Sequence, residues 1–401
     1  MKTKLSLAVA SALFAAASSA NAGIIIPAGD WTLDIGGVVN AYYTTTRFGG
    51  DTGAGTAPLG LGAGKASSQN NITTGLLPNY LSVSGKTRQN DLDVGFTISI
   101  NPGASTTNSG NQGAQQENRQ AFLTFGDKSW GSIKLGKDLG IFASDAILND
   151  MTLLGVGSGA GSLAGNTTTL GRIGSGFMYA DWKSQIAYSS PNWNGFSFTA
   201  GVTQGWNAVG ALGGVGSTDR SGAQSAYEGK ASYEWAGDVS GKVWSSAIVQ
   251  KIAGVTGGGS EQAHAWDIGS TINLAGFGLT GYYYNGDGIG QTLQFNGGLD
   301  AAGNTRDSDG WYVQGTYTLP GVGTKLGLSY GQSTLEGSAA DAATFDEVED
   351  SMWTVGAYHP LTKHLNLVAE YSESERDLDF VGAGSAKGDA KTISLGAILF
   401  F

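Results

Sequence analysis

The chain has 401 residues, of which 66 are Gly and none is Cys; charged residues make up 14% and aromatics 10%. A chain so poor in charge and so well supplied with aromatics is not disordered, and with 7 Pro and no glycine period of three it is not collagen. The lack of Cys removes zinc fingers, iron–sulfur ligation and disulfide frameworks, and a formal net charge of −11 argues against nucleic acid as a partner.

Lys2 and Lys4 open the chain, Leu5 to Ala17 is an apolar run, and Ala20-Asn21-Ala22 is a small-x-small cleavage site. Residues 1–22 therefore read as a secretory signal peptide removed before Gly23. The run is too short to span a bilayer. After it no segment approaches 18 consecutive apolar residues, which excludes a helical membrane protein.

From Trp31 onward the pattern has period two. Leu33, Ile35, Val39 and Ala41 share one face and Thr32, Asp34 and Asn40 the other. Leu92, Val94, Phe96, Ile98 and Ile100 alternate with Asp91, Asp93, Gly95, Thr97 and Ser99. Trp311, Val313, Gly315 and Tyr317 alternate with Tyr312, Gln314, Thr316 and Thr318. Such alternation predicts strands with one apolar and one polar face. Sixteen segments fit, at 31–43, 80–88, 91–101, 115–125, 131–137, 181–189, 196–204, 226–234, 241–252, 263–274, 277–284, 309–319, 324–332, 351–358, 365–371 and 390–401. The phase of 241–252 is unclear around Trp244.

The connections alternate in length. Short turns at 88–91, 126–130, 190–195, 235–240, 274–277, 320–324 and 359–364 carry Gly, Pro, Asn and Asp. Between them lie long polar loops at 44–79, 102–114, 138–180, 205–225, 253–262, 285–308, 333–350 and 372–389. Short turns on one side and long loops on the other are the asymmetry of a transmembrane antiparallel β-barrel in an outer membrane. An apolar outer face meets lipid, a polar inner face meets water, and closure pairs every backbone group. Sixteen strands enclose an aqueous channel. Aromatics near segment ends, such as Tyr42, Tyr43, Trp182, Tyr188, Tyr233, Trp235, Trp353 and Tyr371, fit the interfacial girdles. A soluble β-sandwich is the competing reading, and the turn–loop asymmetry disfavours it.

Ile393, Leu395, Ala397, Leu399 and the terminal Phe401 share one face. This resembles the terminal-strand signal taken up by the barrel assembly machinery. With the leader, the first strand and the loop asymmetry, the mature chain, 23–401, resembles the Gram-negative general porins over its whole length. The most specific local match is Arg119-Gln-Ala-Phe-Leu-Thr-Phe followed by Gly131-Ser-Ile-Lys-Leu-Gly-Lys, similar to the family's fourth and fifth strands. Lys137 stands where Arg is common, Ile133 and Leu135 stand for aromatics, and the Pro-Glu-Phe-Gly-Gly segment of enterobacterial third loops is missing. The resemblance implies a homotrimer of 16-stranded barrels in the cell outer membrane. It implies passive diffusion of ions and small hydrophilic solutes, contact with lipid and lipopolysaccharide, and a third loop, 138–180, folded inward to narrow the pore.

A strand charge facing lipid is costly, so charges should line the lumen. Lys134 lies between Ile133 and Leu135 and points inward; Lys86 shares the phase of Ser82 and Ser84, with Arg88 following at the rim. Periodicity leaves Arg119 ambiguous, and the resemblance places it inward with Phe122 outward. Asp138, Asp145 and Asp150 lie on the third loop, with Ser144 at the cap of a short helix starting at Asp145. Opposed cations and acids would set a transverse field across a constriction; the bland alternative is that Asp145 and Asp150 only bond loop backbone. Glu228, Lys230 and Glu234 share a polar phase and pair along the wall. Acids at 336–350 and 373–379 read as solvated loop surface or, alternatively, as an acidic mouth, and give at most a weak cation preference.

No cofactor or metal site is expected: Asn285-Gly-Asp-Gly lacks the ligand spacing of a Ca²⁺ loop. The three His residues, His264, His359 and His364, do not form a catalytic set, so an enzyme is not expected. Besides a general diffusion porin, a substrate-selective channel and a non-conducting adhesin or structural barrel remain on the same fold.

Overall fold

The computed structural model describes residues 23–51, 67–106, 116–158, 167–208, 221–222, 224–253, 259–341, 346–380 and 384–401. The expected leader, residues 1–22, lies outside them. Sixteen antiparallel strands close into a barrel. They are β1 (Trp31–Gly50), β2 (Tyr80–Gln89), β3 (Leu92–Pro102), β4 (Ala121–Asp127), β5 (Gly131–Leu139), β6 (Trp182–Ser189), β7 (Phe196–Thr203) and β8 (Ala226–Trp235). There follow β9 (Val239–Ala253), β10 (Ser260–Leu274), β11 (Phe277–Asp287), β12 (Asp307–Thr318), β13 (Lys325–Glu336), β14 (Glu347–Pro360), β15 (Leu365–Phe380) and β16 (Gly384–Phe400). Each strand pairs with its chain neighbour, and β16 closes the seam on β1 with Val38 opposite Phe400 and Gly50 opposite Gly388.

Alternation sets the two faces. On β13, Leu326, Leu328 and Tyr330 are exposed on the outside while Gly327, Ser329 and Gly331 face in. Trp244, where the phase was unclear, faces inward and is 2% exposed, lying over Gly269 of β10. The short turns have the backbone that tight hairpins need. Asn90 and Asp91 both have positive φ between β2 and β3, as do Ala275 and Gly276 between β10 and β11, the signature of a type I′ turn.

Several expected loops are partly strand. The strands β15 and β16 run on to Phe380 and from Gly384, so most of 372–389 is a tall hairpin. Likewise β13 and β14 extend into 333–350. In the first long connection β1 continues to Gly50, Ser68–Thr73 pairs back on it, and residues 74–79 turn into the barrel. The fourth segment, expected from 115, starts its barrel strand only at Ala121. Alternation persists past the membrane, which a fixed span length could not show.

The interior is not an empty water-filled tube. The third loop brings in its own apolar residues, Phe142, Ile147, Met151, Leu153, Ile173 and Phe177. They form one cluster with inward wall residues such as Tyr42, Trp244, Ile248, Tyr312 and Tyr358. Part of the sixth long connection, around Ile289 and Phe295, joins the same cluster.

Candidate functional site: a loop clamped inside the barrel

The third loop leaves β5 and is fastened strand by strand. Glu228 of β8 accepts the backbone N–H groups of Ile141 and Phe142, each at 2.9 Å. Ser246 of β9 accepts Ala143 N–H at 3.1 Å. A short helix α1 (Ser144–Asn149) and a 3₁₀ turn (Met151–Leu154) follow. Tyr312 of β12 donates to Ala146 O at 2.9 Å, and Gln314 accepts Met151 N–H at 2.6 Å while donating to Asn149 O at 3.0 Å. Met151 packs on β13 where Gly327 leaves room: a Cβ there would sit 2.5 Å from its Sδ. Glu370 of β15 then accepts Val156 and Gly157 N–H at 2.7 and 2.9 Å, and Tyr358 Oη–H at 2.6 Å. Tyr42 of β1 donates to Leu154 O at 2.7 Å. Returning, Arg172 reaches Ser329 Oγ at 2.5 Å and Met352 O at 2.7 Å. Two buried wall glutamates thus hold the two ends of the inserted stretch. Backbone N–H groups taken out of water need such acceptors, and a carboxylate is a strong one.

The charged residues singled out in the sequence fall into different places. Arg88 sits at the periplasmic rim, 2.9 Å from both Asp93 and Asp127 and half exposed. It belongs to the turns, because β2 ends one residue later. Lys86 faces inward and is exposed, without an ion pair among the described residues. Arg119 is buried, 2.8 Å from Glu117, with Nη2 on Thr167 Oγ1 at 2.9 Å and the guanidinium 5.7 Å from the Trp182 ring centroid. It precedes β4, so strand parity does not bind it. Phe122, expected outward, faces inward, 6% exposed beneath Lys134 Nζ at 4.9 Å, while Leu123 takes the lipid side.

Asp138 was expected opposite the cations. It lies on β5, two periods of the alternation from Lys134, and pairs with it while accepting Gln120 Nε2–H at 2.9 Å. Asp145 meets Lys230 of β8 at 3.0 Å and Lys242 of β9 at 2.6 Å. Burial alone would push its carboxyl up, but the two ammonium groups outweigh burial and hold it at about 2. Asp150 caps the 3₁₀ turn, accepting Thr152 N–H at 3.0 Å and Oγ1–H at 2.6 Å. Burial pushes its carboxyl up against the opposing pull of Arg172. Ser144 lies within α1 and donates to Ile141 O; Ala143, left-handed at φ 61°, precedes the helix without a side-chain cap. The structure therefore does not bring Lys86, Arg88 and Arg119 face to face with the loop acids. The lysines that meet the loop, Lys230 and Lys242, stand 85 and 97 residues from Asp145 in sequence.

The acids at 373–379 also turn away from the lumen. Glu373, Glu375, Asp377 and Asp379 share the outward phase of Leu367, Ala369 and Tyr371. Lys387 and Lys391 of β16 pair with Glu375, Asp377 and Glu373 at 3.1–3.3 Å on that outer surface. Arg376 between them faces in and is held by Asp350 at 2.5 Å.

The sequence model for "Gram-negative porin" matches residues 7–379. The chain belongs to the Gram-negative porin family. Solved structures agree in fold. The outer membrane channel DcaP of Acinetobacter baumannii superposes with a TM-score of 0.67 at 16% identity, covering 94% of this chain and 99% of that one. The anion-selective porin from Comamonas acidovorans gives 0.61 at 16%, covering 92% and 100%. Salmonella typhi OmpF gives 0.58 at 14%, covering 94% and 100%. No curated protein sequence matches significantly. This porin is an outer-membrane channel for passive diffusion.

Proposed function

We propose that the porin passes ions and small hydrophilic solutes through a lumen that the third loop, residues 138–180, narrows. The observation that carries this reading is the pair of clamps, Glu228 at Ile141 and Phe142 and Glu370 at Val156 and Gly157, which stretch the loop along the inner wall. A loop held this way restricts cross-section without closing the tube. The porin acts as a channel and not as an enzyme: His264 shares the outward phase of Trp266 and Ile268, away from the lumen. Export by the leader 1–22, insertion through the Phe401 strand by the assembly machinery, lipopolysaccharide contact and a homotrimeric state complete the reading.

Refolding the mature chain and recording single channels in a planar bilayer tests it. Stepwise conductance in three coupled levels is expected. Single independent levels would contradict the trimer, and no conductance would contradict the diffusion channel.

A further inference from the structure

In each ion pair that joins the third loop and its root to the wall, the cation is the partner left in water. Lys134 is 21% exposed against 9% for Asp138; Lys230 and Lys242 are 23% and 22% exposed against 4% for Asp145. The carboxylates of Asp138 and Asp145 lie behind the ammonium groups; Glu234, which also pairs with Lys242 at 3.2 Å, is 57% exposed and is the exception. Lys86, unpaired among the described residues, adds an inward charge in the same hydrogen-bonded row as Lys134, with Gly95 and Thr124 between them. Three strand spacings put the two backbones about 14 Å apart, across a floor of small residues.

The loop shows a different face where it meets water. Its acids are used up inside, and the partly buried residues that edge its apolar cluster include Leu148, Leu154 and Leu170, along with Tyr80 of β2. Leu154 and Leu170 adjoin the inward segment that leads into Tyr80: Leu76 N–H donates to Gly155 O at 2.8 Å and Thr169 N–H to Gly75 O at 3.1 Å. Because these residues sit inside the barrel, the water they touch is lumen water. Tyr80 and Lys86 share the inward phase of β2, about 20 Å apart along the strand, with Tyr80 nearer the outside. A solute entering from outside passes an apolar strip and then a row of ammonium groups.

We propose that the solutes this channel favours are small amphipathic anions, a carboxylate or sulfonate joined to an apolar body. This rests on the diffusion-channel reading and names its solute class. The apolar body gains by covering the leucines and Tyr80, and the anion gains from Lys86 and from Lys134 and Lys230, whose counter-charges are set back. The outward turn of the acids at 373–379 removes one of the two acid sets that suggested a cation preference.

Bi-ionic potentials across a bilayer holding the refolded porin test this, with potassium benzoate on one side and potassium gluconate on the other. Benzoate should cross with a permeability roughly five-fold above gluconate after correction for free diffusion, and a KCl gradient should show chloride favoured over potassium. Leu154→Asn with Leu170→Asn should lower the benzoate excess, and Lys86→Gln should lower the chloride preference. Lys86 is exposed, so that variant reads the charge without disturbing a packed pair. A conducting channel that prefers potassium, or that passes benzoate and gluconate in proportion to their diffusion coefficients, would overturn the inference alone. A chain that does not conduct would overturn the channel reading beneath it.

Discussion

The two sides of this barrel differ in height and in what lies against them. The strands β2 to β7 are 7–11 residues long, while β12 to β16 are 12–17. On the tall side, inward Ser329, Ser333, Thr354, Ser372 and Ser394 are at most 1% exposed. On the low side, inward Thr124, Ser132, Ser197 and Thr199 keep contact with water. The third loop crosses from β8 to β15 and back, and every clamp named above lies on β8, β9, β12 to β15 or β1. Small polar wall residues differ by height as well as by side: those named on the tall side pack under the loop, while on the low side Ser82, Ser99 and Thr203 are buried toward the outer end and Thr124, Ser132, Ser197 and Thr199 line the way through.

The sixth connection closes a further sector. Tyr179 N–H donates to Thr292 O at 3.0 Å, and Lys183 of β6 reaches Gln294 Oε1 at 2.5 Å, so this connection spans from β11 to β6. Lys183 is fully buried with Glu228 at 2.6 Å. Arg306 grips Asp341 through two bonds of 2.7 and 2.9 Å at the root of the same connection.

The largest expected effect comes from unlocking both inserted connections at once. Glu228→Ala strands Lys183 as a buried lone charge and frees Ile141 and Phe142. It should cost about 3–5 kcal/mol in a denaturant refolding titration. An unchanged midpoint would show that the clamp is not structural. Next is Arg306→Ala, which should cost about 1–3 kcal/mol and raise single-channel conductance by loosening the sixth connection. A lower conductance would mean that the connection props the pore open. Asp145→Asn should raise the chloride-to-potassium permeability ratio about twofold by uncovering Lys230 and leaving Lys242 with Glu234 alone; a shift toward potassium would contradict the arrangement.

The pH dependence of that contact has a definite sign. The folded carboxyl of Asp145 lies below the ordinary carboxylate range. Its pairing therefore stabilises the fold above that range and is lost only as pH falls toward about 2. The difference in chloride-to-potassium permeability between the native porin and Asp145→Asn should hold between pH 7 and 4, and its loss near pH 5 would refute the assignment. The smallest effect belongs to Arg88→Ala at the periplasmic rim, where exposed pairs contribute little. Selectivity measured by reversal potential should not move.

The barrel was legible in sequence because alternation is a local code: each strand carries its own record of which face meets lipid. The loop's electrostatics were not. Whether Asp145 meets Lys86 or Lys242 depends on how far the loop travels round the wall before it is clamped, and nothing within 138–180 states that. The phase of Lys230 was readable, and Glu228 shares it, yet their common role as anchor and counter-charge for a loop some 85 residues away arises only on closure. Arg119 and Phe122 show the limit of parity, since Arg119 and Gln120 are both buried just before the pleat begins at Ala121.

The central claim, that the water path follows the low wall, has a direct test because the chain holds no Cys. Single cysteines at Thr124 of β4 and Thr354 of β14 would be treated with a charged thiol reagent during single-channel recording. The account predicts rapid stepwise block at position 124 and no reaction at 354. Block at 354 with an inert 124 would place the path on the tall wall and contradict it.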